Sequence, residues 1–163
     1  MSKGKITYQQ FLTKMQKYTD PEELKEFIKS HIVTQYVDYD VKLSNVKILA
    51  DIGNHTTMPD PKNEGQEITV YKRNTPMMYF WLEMRLLMNY TDIEIPLEGK
   101  ITEAYNKLSE SGAKDLLLAA IPEPELKRWQ RLLEMVNDDM YVNERDIPSF
   151  FETKVDALGM VLN

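Results

Sequence analysis

A chain of 163 residues has room for one ordinary domain with a sizeable core, and not for two comfortable ones. Hydrophobic content of 42% and charged content of 28% stand near globular averages and speak against wholesale disorder, while the absence of cysteine removes disulfides, thiolate zinc sites and cysteine nucleophiles together. The 20 Lys and Arg against 26 Asp and Glu leave a formal charge of −6, and the densest basic groups, Lys72-Arg73 and Lys127-Arg128 with Arg131, are not interleaved with aromatic platforms or glycines, which disfavours direct nucleic-acid binding.

The first residues, Met1-Ser2-Lys3-Gly4-Lys5-Ile6, lead into no apolar signal region, so the expected place of action is the compartment of synthesis. Thr7-Tyr8-Gln9-Gln10 then spells a capping box, with Ile6 and Phe11 placed as the hydrophobic staple around it. The helix so opened is expected to bury Phe11, Leu12, Met15 and Tyr18. Asp20-Pro21-Glu22-Glu23 repeats the logic for a second helix: a cap, a proline where a missing N–H costs nothing, and acids near the positive end of the dipole. Its inner face is Leu24, Phe27, Ile28 and Ile32.

A third helix is expected from about 38 to 50 or 51, on the spacing of Tyr39, Leu43, Val46 and Leu49, with Gly53 as a left-handed stop. Alternation across 36–41 allows a short strand there instead. Over 54–74 the periodicity disappears: Pro59, Pro61, Asn63 and Gly65 break regular structure until Ile68-Thr69-Val70-Tyr71 offers a brief extended run. Long connections of this kind are often functional. Partner contacts are therefore expected at Met58, Pro59, Tyr71, Lys72 and Arg73.

The segment Met77-Met78-Tyr79-Phe80-Trp81-Leu82-Glu83-Met84-Arg85-Leu86-Leu87-Met88 is apolar on nearly every face. Thr75 is the expected N-cap and Pro76 the first helical residue. Such a helix rises only about 18 Å against a hydrocarbon thickness of roughly 30 Å, which excludes a membrane span. It is read as a buried central helix over 76–88, with its methionines as core filling. Tyr90 to Pro96 reads as an extended turn. A fifth helix follows through Ile101, Ala104, Tyr105 and Leu108, stopped at Gly112, and a short apolar one runs over 113–121 to Pro122. The next, from about Pro124, has the cleanest pattern, because Leu126, Trp129, Leu133, Val136 and Met140 alternate spacings of three and four. A last helix is expected near Asp146, with Pro148 in its first turn and Phe150, Phe151, Val155 and Leu158 on one face. The expected fold is all-α: a single compact domain over 1–163, about seven helices around the central one, with an irregular loop over 54–74 that has room for a short strand or hairpin.

Asp51-Ile52-Gly53-Asn54-His55 contains a Gly-Asn-His that resembles one block of the calcineurin-like metallophosphoesterases. Two metal ions there need several further Asp, Asn and His blocks, and this chain has only His31 and His55. A helix stop explains the triplet better. Glu134 and Asp138 share a helix face beside Asp139, and Asp92 with Glu94, Asp38 with Asp40 and Glu123 with Glu125 form similar pairs; without nitrogen partners they read as solvated faces, the last at a helix start. His31 reads as a boundary residue beside Ile28 and Ile32. The glycines are isolated and no Gly-x-Ser-x-Gly occurs, so the reading is of no enzyme, no metal and no cofactor.

Four phrases, Tyr36-Val37-Asp38-Tyr39-Asp40-Val41-Lys42, Asn89-Tyr90-Thr91-Asp92-Ile93-Glu94-Ile95, Ala104-Tyr105-Asn106-Lys107-Leu108 and Ile121-Pro122-Glu123-Pro124-Glu125-Leu126, resemble small helical proteins encoded by bacteriophages of Gram-positive hosts. That resemblance brings no catalytic residues. It implies a virion structural or assembly component in the host cytoplasm or the virion, bound to other phage structural proteins or to copies of itself and not to nucleic acid or membrane. The alternative is an acidic phage-encoded inhibitor of a host nucleic-acid-processing enzyme, which a charge of −6 would assist by steering. Lysines interspersed among the acids, as in Glu22-Glu23-Leu24-Lys25-Glu26, weaken it.

Overall fold

Thr7 and Gln10 form the reciprocal cap that their spacing predicts: Thr7 Oγ1 accepts from the Gln10 N–H and Gln10 Oε1 from the Thr7 N–H, each at 3.2 Å. This opens α1 (Tyr8–Met15), with Ile6 and Phe11 both buried beside it. A computed structural model describes residues 4–97 and 99–144. Ahead of α1, β1 (Ile6–Thr7) pairs in parallel with β4 (Ile93–Glu94). The Asp20 carboxylate accepts from the Glu22 and Glu23 N–H groups at 2.9 and 3.0 Å, and α2 (Pro21–Ser30) follows with its proline in the first turn. Tyr18 departs from expectation. It lies beyond the end of α1 and is exposed, its ring stacked 4.7 Å from Phe27.

α3 (Tyr39–Asn54) is the helix that the 3.6-residue spacing predicts, but Gly53 does not stop it. The helix runs through Gly53, whose φ is not positive. Its missing side chain serves a close approach instead, since a Cβ there would lie 1.8 Å from Met78 Cγ. The stretch expected to be irregular holds a hairpin: β2 (His55–Pro59) pairs antiparallel with β3 (Glu67–Tyr71), His55 opposite Tyr71 and Pro59 opposite Glu67. Asp60 ties its turn, accepting from Lys62 N at 2.8 Å and Asn63 Nδ2 at 2.7 Å, and Gly65 adopts φ +83°.

α4 (Thr75–Tyr90) is capped one residue earlier than expected, because Asn74 Oδ1 accepts from Met77 N at 3.1 Å and Thr75 is already helical. Met78, Leu82, Met84, Leu86, Leu87 and Tyr90 are buried, whereas Met77 and Tyr79 are 40% and 59% exposed, so the start of the helix is exposed on the face opposite Met78. α5 (Ile101–Glu110) ends before Gly112 at φ +72°, the left-handed stop predicted there. α6 (Ala113–Ala120) and α7 (Glu123–Glu144) complete the described chain. The helix expected from Asp146, with Phe150, Phe151, Val155 and Leu158, lies outside the described residues.

The described residues are thus mainly helical, seven helices with two two-stranded sheets, and none of those helices is long and apolar enough to cross a membrane. Two clusters make the core. One gathers Phe11, Ile28, Met84, Leu87, Leu108 and Leu117; the other gathers Val46, Leu49, Leu82, Leu86, Tyr90 and Trp129.

Candidate functional site

Backbone hydrogen bonds clamp the base of the hairpin to the end of α3: Lys72 N donates to Asn54 O at 2.7 Å and Asn74 N to Gly53 O at 2.6 Å. Asn54 is fixed in turn, its Nδ2 donating to Ala50 O at 2.8 Å and to Asn137 Oδ1 of α7 at 2.7 Å. These contacts place Lys72 and Arg73, both exposed, at the mouth of a cleft of about 460 Å³ with Ile52, His55, Met77 and Trp81. Ile52 and Met77 are exposed apolar residues, so the cleft joins an apolar floor to a cationic rim. Arg73 also lines a second cleft of about 300 Å³ between α4 and α7, with Tyr79, Leu82 and Leu133.

Of the five residues expected to meet a partner, Lys72 and Arg73 come together here. Tyr71 is half-buried at the base, edge-on to His55 at 5.9 Å and 6.4 Å from the Tyr141 ring of α7. Met58 and Pro59 stand apart, exposed along β2 opposite Ile68 and Glu67. The Gly-Asn-His triplet lies at the end of α3, which Gly53 and Asn54 close, and His55 Nδ1 sits 3.0 Å from Asp51 Oδ1. Among the described residues no three His, Asp or Glu gather as a metal site, and Glu134, Asp138 and Asp139 are exposed on α7.

Sequence reasoning missed a buried ionic cluster between α3, α4 and α7. Glu125, placed by the sequence at a solvated helix start, is buried, with Oε2 2.6 Å from Lys42 Nζ. The same oxygen accepts from Tyr90 OH at 2.5 Å and Val37 N at 3.3 Å, while Arg128 Nη1 donates to Oε1. Trp129 Nε1 donates to Tyr90 OH at 3.0 Å and completes the set. Burial alone would raise the Glu125 carboxyl, but the hydrogen bonds from Lys42, Tyr90 and Arg128 outweigh it and hold it at about 2. The Tyr90 hydroxyl is pushed well above its ordinary value by burial and by Glu125. A signal existed. Lys42, Val46, Leu49 and Gly53 recur at helical spacing on the inner face of α3, which puts a lysine where an apolar residue is expected.

Two further polar ties link the helices. His31, read as a boundary residue, is buried with Nδ1 2.7 Å from Asp92 Oδ1 and rings of Phe11 and Phe27 edge-on around it. Lys114 Nζ reaches Glu83 Oε2 at 2.9 Å and Tyr105 OH at 3.2 Å. A third cleft, of about 520 Å³, opens where Tyr36 and Tyr39 face Arg128 and Arg131 of α7. No family model, curated protein or solved structure matches the chain.

Proposed function

We propose that the protein works by binding other proteins, through the hairpin and the cleft at its base, as a structural or assembly component of a bacteriophage particle. The observation that carries the binding reading is the continuity of an apolar-floored, cation-rimmed cleft with a two-stranded sheet whose outer edges pair with no further strand among the described residues. Open strand edges accept an added strand, and an exposed apolar floor supplies the area that makes such pairing persist. The phage setting is supported by the resembling phrases in the sequence. In the same reading α4 is the central helix: it feeds both core clusters, so the cleft at its first turn stands on a fixed support. An inhibitor that imitates nucleic acid has less support, because it would need a bare acidic face, and Glu22, Glu26, Glu103 and Glu123 are each paired with a lysine on their own helix.

Light scattering over a concentration series, with mass spectrometry of purified particles, tests the proposal. The expected result is self-association or presence in the particle, lost when Lys72→Glu, Arg73→Glu and Met77→Asp are combined without change in helical circular dichroism. A protein that stays monomeric at high concentration and is absent from particles overturns it.

A further inference from the structure

α7 carries apolar residues on two faces. Trp129, Leu132, Leu133 and Val136 pack into the second core cluster, but Met135 is 54% exposed. Across from Met135 stand Tyr36 and Tyr39, 52% and 55% exposed, and the cleft between them takes no residue from the hairpin. Every charged residue lining it is a cation: Lys42, Arg128 and Arg131. Lys42 and Arg128 share the buried Glu125 carboxylate behind them, so the lining carries more positive than negative charge. This stands against −6 for the whole chain. Arg131 makes no ion pair among the described residues. Lys42 Nζ lies 4.2 Å from the centre of the Tyr36 ring, a cation–π contact that holds the ring at the cleft edge.

Tyrosine, arginine and methionine are among the side chains enriched where proteins meet, because each offers large contact area together with a polar or adaptable end. We propose that this face docks an acidic amphipathic segment of a partner protein, carboxylates on Arg128 and Arg131 and an apolar side chain among Tyr36, Tyr39 and Met135. The inference goes beyond the hairpin reading, since the two sites share no residue. Charge complementarity selects the partner. Aromatic rings beside arginines also suit single-stranded nucleic acid, but a net −6 repels a polyanion.

The test is fluorescence anisotropy on the full chain with a labelled peptide of about 15 residues, or about four helical turns, built from Glu and Leu at helical spacing. A Lys and Leu counterpart and a labelled oligothymidylate serve as controls. The Glu–Leu peptide should bind, weaken as salt rises, and lose about tenfold or more in affinity with Arg131→Glu and with Tyr39→Ala plus Met135→Ala. Lys72→Glu with Arg73→Glu should leave its affinity unchanged, which separates this site from the hairpin cleft. Equal binding of the Lys–Leu peptide, tighter binding of the oligothymidylate, or indifference to Arg131→Glu overturns the proposal. So does an affinity that rises about tenfold with Phe150→Asp plus Phe151→Asp, which would make residues 145–163 of the chain itself the occupant. A drop from dimer to monomer with Met135→Asp in the absence of peptide would assign the face to a second copy instead.

Discussion

At Glu125 three cation or hydroxyl donors and one backbone N–H converge on a single buried carboxylate. Such a cluster stabilises little relative to a well-packed apolar equivalent, because desolvation offsets most of the attraction, but it is costly to break from one side. Glu125→Gln leaves Lys42 charged and buried, and should lower the unfolding free energy in urea by about 3–5 kcal/mol. Replacing both partners, Lys42→Met with Glu125→Leu, should cost much less. A loss under about 1 kcal/mol for Glu125→Gln would show that water reaches the site and screens it. Gly53 makes the opposite case, where the absence of atoms matters. Gly53→Ala improves helix propensity by roughly 1 kcal/mol, yet its Cβ must displace Met78, and overpacking of this kind costs about 1–3 kcal/mol. Combining it with Met78→Ala removes the clash, so the double variant should be more stable than the sum of the singles, as measured by a denaturation cycle.

The two faces of α7 give a prediction at the scale of an element. Trp129 is fully buried with its indole N–H satisfied, so Trp129→Ala should cost about 3–5 kcal/mol, while Met135→Ala six residues on should fall within about 0.5 kcal/mol of the parent. Equal losses would mean that the outer face is packed too. Helix beginnings were legible in the sequence because a cap is a dialogue between neighbours: Thr7 with Gln10, Asp20 with Glu22 and Glu23. Gly112 was legible for the same local reason, Gly53 was not. A glycine that ends a helix and one that admits a neighbour look alike until Met78 arrives from another helix. Of the hairpin, the extended run at Ile68-Thr69-Val70-Tyr71 was legible, but β2 was obscured because four of its five residues are exposed, which leaves no apolar alternation to read. Lys72 and Arg73 stood out as a basic pair in a long connection. The Tyr36 and Arg131 face did not, since its two halves meet only once α3 and α7 pack.

Over the whole molecule, the polar ties and the apolar clusters are unevenly shared, and acid should expose this. The first cluster draws on α1, α2, α5 and α6, the second on α3 and α7, and α4 with Leu118 belongs to both. Glu125 lies in the second half alone, facing Lys42 from α3, Tyr90 from α4 and Arg128 from its own helix. Its carboxyl is held at about 2 when folded against an ordinary 4.5. The unfolded chain therefore binds this proton first on acidification, so the stabilisation is complete above 4.5 and drains away as the pH falls toward 2. Hydrogen exchange across that window should show amides of α3 and α7 losing protection before those of α1 and α5, with Trp129 emission shifting alongside. The Lys42→Met, Glu125→Leu variant has no such proton to take up, and its two halves should lose protection together. If the parent loses protection evenly, or the variant retains the parent's order of loss, the buried carboxylate is not what makes the second half acid-sensitive.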